Sequence, residues 1–105
     1  MTTWQTVAKT SEIPPERVQV FQIGDHEVAV CNVNDHFYAI DDLCTHDGGS
    51  LDQGQLEGDE IECPRHGARF NVTSGEATQL PAFEPVETHA VRVEGDAIQV
   101  GVEHA

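Results

Sequence analysis

Two mixed pairs of metal-binding side chains stand out in this chain: Cys44-Thr45-His46 and Cys63-Pro64-Arg65-His66. Sixteen residues separate His46 from Cys63. Each pair offers one soft thiolate and one imidazole. Each is followed by glycine, Gly48-Gly49 after the first and Gly67 after the second. Glycine lets a loop fold tightly around a metal centre and turn backbone N–H groups toward it. Two ligand sets fit these residue types. One is a tetrahedral Cys₂His₂ zinc site; the other is a [2Fe–2S] cluster with both cysteines on one iron and both histidines on the other. Structural zinc sites pair like with like, so the mixed pairs weigh toward the cluster.

The elements that must position these residues read as short strands. Candidates lie at 4–8, 18–23, 27–33, 36–40, 60–63, 69–72, 88–93 and 97–102. Two-residue turns at Gly24-Asp25, Asn34-Asp35 and Gly95-Asp96 predict hairpins. Val91 and Val93, and then Ile98, Val100 and Val102, alternate with period two, as half-buried strands do. Between Val20 and Phe21 the apolar phase slips, which predicts a bulge or a misplaced strand end. Pro14-Pro15 predicts a turn or a helical turn. No long helical period is present, so the chain reads as all-β, a sandwich or a barrel. At 105 residues it is a single domain, 1–105. The stretch at about 41–72 breaks the strand rhythm with glycines and carries both pairs, which is where a site belongs.

The two pairs and their surroundings resemble the Rieske iron–sulfur family, whose motif is C-x-H, a spacer of similar length, then C-x-x-H. The resemblance spans nearly the whole chain, from Trp4 through Asp41-Asp42-Leu43 to the strand-rich end. It implies one Rieske [2Fe–2S] cluster held by Cys44, His46, Cys63 and His66, with the cysteines on the buried iron and the histidines on the outer one. It also implies an antiparallel β-sandwich base with a small inserted cluster-binding subdomain, the Rieske fold. Leu80-Pro81-Ala82 looks like the family's proline segment over the cluster.

Rieske proteins of the cytochrome bc complexes carry a disulfide at the positions of Gly49 and Arg65, and serine and tyrosine hydroxyls at those of Ala68 and Phe70. Neither feature is available here. Hydrogen bonds to cluster sulfurs favour the reduced state, so their loss implies a potential near the low end of the Rieske range, about −150 mV. The chain is thus similar to the ferredoxins of multicomponent aromatic-ring dioxygenases. That likeness implies a non-catalytic shuttle of single electrons from a flavin-dependent reductase to a terminal oxygenase. A small electron-transfer subunit of another reductase, such as a nitrite reductase, is the second reading, and a zinc-stabilised binding module the third. The run His66-Gly67-Ala68-Arg69-Phe70, and Asp47 in the first loop, depart from the usual dioxygenase pattern.

Nineteen acidic residues against five basic ones give a formal charge of −14. Nucleic acid and anionic membrane are poor partners for such a chain, and a protein with a basic patch is a better one. Asp41, Asp42, Glu57, Asp59, Glu60 and Glu62 are candidates for an acidic docking face or for plain solvation. Arg65 and Arg69, close to the candidate ligands, are candidates for tuning the potential or for contact with a partner. Three cysteines in a chain with no signal-peptide pattern suit a reducing compartment, and the cytoplasm is the expected location. Cys31 lies in a candidate strand and reads as a small buried hydrophobe. His26, His36, His89 and His104 are given no special role.

Overall fold

The computed structural model describes residues 2–45, 50–52, 54–64, 67–80 and 82–103. Six longer strands are β1 (Thr2–Lys9), β2 (Val18–Ile23), β3 (His26–Val33), β4 (His36–Asp41), β9 (Thr88–Glu94) and β10 (Ala97–Glu103). They form one antiparallel sheet in the order β1-β10-β9-β4-β3-β2. Four short strands, β5 (Leu56–Glu57), β6 (Glu60–Glu62), β7 (Arg69–Asn71) and β8 (Ala77–Gln79), form a second antiparallel sheet. Among the described residues the helical structure is a single 3₁₀ turn, Thr10–Glu12.

The three predicted hairpins are present, and their turns follow from residue type. Asn34 and Asp35 both take positive φ, 52° and 67°, as a type I′ turn requires. Gly24 and Gly95 take positive φ at the first turn position, the type II′ requirement. The predicted proline turn also forms. Arg17 N–H donates to Pro14 C=O at 3.1 Å, with Pro15 at its second position and Glu16 at positive φ, a type II pattern. Buried Asn32 pins this turn region to β3, donating from its amide to Ile13 C=O at 2.7 Å and accepting from Asp35 N–H at 2.8 Å.

The big sheet curls, so that its β1-β10-β9 part faces its β2-β3-β4 part. Ile13, Ile23, Val28, Val30, Ala39, Ile98 and Val100 fill the space between them. The opposite face of β2-β3-β4 is buried too. Ala29, Cys31 and Ile40, with Val18, Val20 and Tyr38 beside them, pack against Leu56, Ile61 and Phe70 of the small sheet and against Val72 just after β7. The β2-β3-β4 layer therefore lies between two cores.

This arrangement corrects the bulge expected at Val20/Phe21. The β2–β3 register runs unbroken from Val18↔Cys31 to Ile23↔His26. Val18 and Val20 point to one core while Phe21 and Ile23 point to the other, which shifts the apolar phase without an extra residue. The irregularity in the big sheet falls instead in β1, between Thr6 and Ala8.

Cys31 is fully buried in this layer, and its thiol is pushed up to about 12, chiefly by burial and secondly by the Asp42 carboxylate. A raised folded-state pKa means that the native chain holds its proton after the unfolded chain has lost it. Stability is therefore unaffected below about pH 9 and falls by about 1.4 kcal/mol per pH unit from there toward pH 12. Urea titrations across this window should show that fall in the parent and a flatter curve in Cys31→Ala. Iodoacetamide should leave native Cys31 unmodified at neutral pH.

Candidate metal centre

The first ligand loop begins where β4 ends, at Asp42-Leu43-Cys44. Asp42 is buried, and its Oδ1 accepts N–H bonds from Leu51 and Asp52, both at 2.8 Å. Its own N–H donates to Glu27 C=O at 2.8 Å. The carboxylate thus closes the neck of the loop. Burial raises the Asp42 carboxyl pKa, and the N–H groups of Asp52 and Leu51 oppose that shift by stabilising the ionised form. Asp42 is therefore an interior clip, which corrects its placement on an acidic docking face.

The second loop leaves β6 at Cys63 and returns to β7 at Arg69. Cys63 N–H donates to Ala68 C=O at 2.6 Å, and Gly67 N–H donates to Cys63 C=O at 3.1 Å. Gly67 takes φ +75°, the left-handed conformation that a side chain disfavours, so the tight return depends on glycine. A third segment, 84–86, ties the first loop to the β7–β8 turn. Thr45 Oγ1 donates to Glu84 C=O at 2.8 Å, and Val86 N–H donates to Gly75 C=O at 2.8 Å.

Cys44 and Cys63 are both buried in the core cluster that also holds Leu51, Ala68, Phe70, Ala82 and Val86. No disulfide involves any of the three cysteines. His46 and His66 lie outside the described residues, as do Asp47, Gly49, Arg65 and Pro81. Two sulfur donors from separate loops, sunk in one apolar cluster, suit an iron–sulfur group whose cysteine side is shielded from water. Ala68 and Phe70 are fully buried in the same cluster, and neither carries a hydroxyl.

Other charged residues are committed to structure. Arg69 reaches Glu57 at 3.0 Å, Glu60 at 3.4 Å and Glu62 at 3.6 Å, joining β5, β6 and β7. These carboxylates, Glu60 first, hold the guanidinium more firmly in its charged form. Asp59 accepts from the Asn71 amide at 3.2 Å. His89, given no role from sequence, is 4% exposed at its side chain and sits 2.7 Å from Asp41 Oδ1. Its signal was the period-two phase of β9, which puts His89 on the same inward side as Val91.

A family model described as the Rieske [2Fe-2S] domain matches residues 3–90. The ferredoxin component of biphenyl 2,3-dioxygenase from Rhodococcus jostii RHA1 is 37% identical over 97 residues, 92% of this chain and 91% of that protein. The ferredoxin of carbazole 1,9a-dioxygenase from Nocardioides aromaticivorans IC177 superposes with a TM-score of 0.90 at 38% identity, over 93% of this chain and 96% of its own. A solved complex of reduced oxygenase and oxidised ferredoxin in carbazole 1,9a-dioxygenase contains a chain that superposes with a TM-score of 0.88 at 38% identity, covering 92% of this chain and 91% of that one.

Proposed function

The chain belongs to the Rieske [2Fe–2S] domain family, and on that premise we propose that it is a low-potential ferredoxin. It takes single electrons from a flavin-dependent reductase and delivers them to a terminal oxygenase. It is an electron carrier and not itself an enzyme. The whole of 1–105 acts as one Rieske domain, with Cys44 and Cys63 holding one iron and His46 and His66 the other. The family's group is a [2Fe–2S] cluster, which sets aside the zinc module that residue types alone left open. The observation that carries this reading is the convergence of Cys44 and Cys63, from two separately closed loops, in one buried cluster.

When bound, the cluster supplies a one-electron couple. The chain's own residues set the terms of that couple. Ala68 and Phe70 offer no hydroxyl near the cysteine side, so the reduced state lacks two hydrogen bonds, and the potential lies toward the low end, about −150 mV. Leu43, Leu80 and Phe83 are 44%, 65% and 82% exposed on or beside the ligand loops. Large apolar side chains exposed next to a redox group fit transient docking of a partner. Thr45 Oγ1 to Glu84 C=O ties the first loop to the segment bearing Phe83. Among the described residues no helix is long and apolar enough to cross a membrane. Cysteines without disulfides suit the cytoplasm.

The test is stopped-flow electron transfer with purified reductase and oxygenase components of an aromatic-ring dioxygenase. Both half-reactions should proceed through this chain. A chain at −14 meets basic patches by long-range attraction, so raising ionic strength from about 0.01 M to about 0.15 M should slow both several-fold as the screening length falls to about 8 Å. Failure to reduce any such oxygenase, with ready transfer to a nitrite reductase, would overturn the assignment. A rate indifferent to salt would leave docking to Leu43, Leu80 and Phe83 alone.

A further inference from the structure

We propose that His26, Asp41 and His89 form a second metal site, selective for a borderline divalent cation such as Zn²⁺ and separate from the iron–sulfur centre. The three residues come from three neighbouring strands. His26 opens β3, Asp41 ends β4, and His89 is the second residue of β9. His89 Nε2 lies 2.7 Å from Asp41 Oδ1, and His26 Nδ1 lies 3.6 Å from the same oxygen. All three donor atoms fall within 4.8 Å of one another. The two imidazoles meet edge to face, with ring centroids 5.3 Å apart and planes at 72°.

A His–Asp hydrogen bond alone is an ordinary way to satisfy a buried imidazole. Two further features exceed that role. A second imidazole converges on the same carboxylate oxygen, although its own satisfaction does not require it, since its side chain is 35% exposed to water. A cavity of about 90 Å³ opens beside both rings, lined also by Glu87, Thr2 and Thr88, with room for a water ligand.

The two histidine distances to Asp41 come close to what a small cation needs, and the two imidazole nitrogens lie within 4.8 Å of each other. Zinc bonds of about 2.0–2.1 Å in tetrahedral geometry set neighbouring donors roughly 3.3 Å apart. The His26–Asp41 spacing is already close to this, and the His89–Asp41 spacing needs to open by roughly 0.6 Å. To coordinate through Nε2, His89 must carry its proton on Nδ1. Neutral imidazole needs only this change of tautomer, with no net loss of a proton. Two nitrogens and one carboxylate oxygen suit zinc-class ions, whereas the oxygen-rich shells of Ca²⁺ and Mg²⁺ are absent from this trio. The strong negative charge of the chain adds general attraction for any cation.

Occupancy would staple β3, β4 and β9 at the root of the first ligand loop. Asp41 also donates its N–H to Glu87 C=O at 2.9 Å and accepts from Leu43 N–H at 2.8 Å.

The experiment is calorimetric titration of Zn²⁺ into untagged, cluster-loaded protein, with iron retention and zinc X-ray absorption measured on the product. One zinc per chain should bind at micromolar free zinc, beyond the two irons, with a nitrogen and oxygen shell. His26→Ala and Asp41→Asn should each weaken binding roughly tenfold or more, since even outer-shell changes cost that much. His36→Ala should leave it unchanged, which excludes binding at that exposed histidine. His26 stands beside the β2–β3 turn and is partly exposed, so its removal tests the site without emptying a core. The proposal is overturned if cluster-loaded protein takes up no zinc, or if His26→Ala binds as the parent does. It is equally overturned if the zinc spectrum shows sulfur at about 2.3 Å with iron released, because the metal has then entered the cysteine site.

Discussion

Replacing His66 with Ala is expected to yield a colourless chain that retains no iron, whereas the parent should carry two irons and two acid-labile sulfides. The reduced parent should show the low average g value of an imidazole-ligated iron–sulfur pair. The effect of His66→Ala should reach beyond the metal. Cys44 and Cys63 sit in the core cluster shared by the small sheet and the outer face of β2-β3-β4. On the proposed ligand assignment, losing the cluster removes the tie between two loops whose described residues carry little regular structure, so metal loss and partial unfolding should coincide. Far-UV circular dichroism with iron and sulfide analysis checks both. Cys31→Ala is the control, since a buried thiol that is not a ligand should leave the cluster in place. A parent with one zinc and no sulfide, or a His66→Ala chain with full iron content, would contradict the ligand assignment.

The second large effect is expected at Asp42. In Asp42→Ala the N–H groups of Leu51 and Asp52 lose the acceptor that each now reaches at 2.8 Å, and Leu51 is fully buried. An unsatisfied buried donor costs about 1–3 kcal/mol, so the variant should lose about 2–5 kcal/mol. That is a large part of the total stability expected of a small domain. Asp42→Asn keeps an oxygen at the same place and should recover most of the loss. Urea unfolding of the three proteins, with cluster occupancy measured alongside, gives the comparison. An Asp42→Ala chain as stable as its parent would mean that the loop neck is held by something other than this carboxylate.

Much of the base was legible because its signals are local. Asn34-Asp35, Gly24-Asp25 and Gly95-Asp96 each specify a two-residue turn, and the strands flanking them followed. The paired Cys-x-His and Cys-x-x-His motifs point to a metal centre for the same reason, and the structure brings Cys44 and Cys63 into one buried cluster while His46 and His66 lie outside the described residues. Strands β5 and β8 escape a sequence reading because Leu56-Glu57 and Ala77-Thr78-Gln79 lack the large apolar residue between two polar ones that Ile61 gives β6 and Phe70 gives β7. The partners of Asp42 and His89 are illegible for another reason, although the phase of β9 already turns His89 inward. Both residues depend on partners 9 and 48 residues away, which no window on the sequence brings together. The phase slip at Val20/Phe21 implies a bulge or a strand end only in a strand with one buried side. Its two-sided burial is visible only once both sheets are in place.

The pairing of β4 with β9 has a bearing on how such a molecule can be recombined. Ile40 is registered against Thr88, and Asp41 N–H bonds to Glu87 C=O at 2.9 Å, so the stretch 42–87 leaves and re-enters the base at adjoining points. From the standpoint of the base, this stretch is one oversized hairpin loop, and the entropy of closing a loop rises only slowly with its length. A homologous stretch carrying the paired Cys/His motifs is therefore expected to replace it without disturbing the order of the six long strands. The condition for a successful transplant is set by Val18, Val20, Ala29, Cys31 and Ile40, the apolar footprint that the incoming cassette must cover.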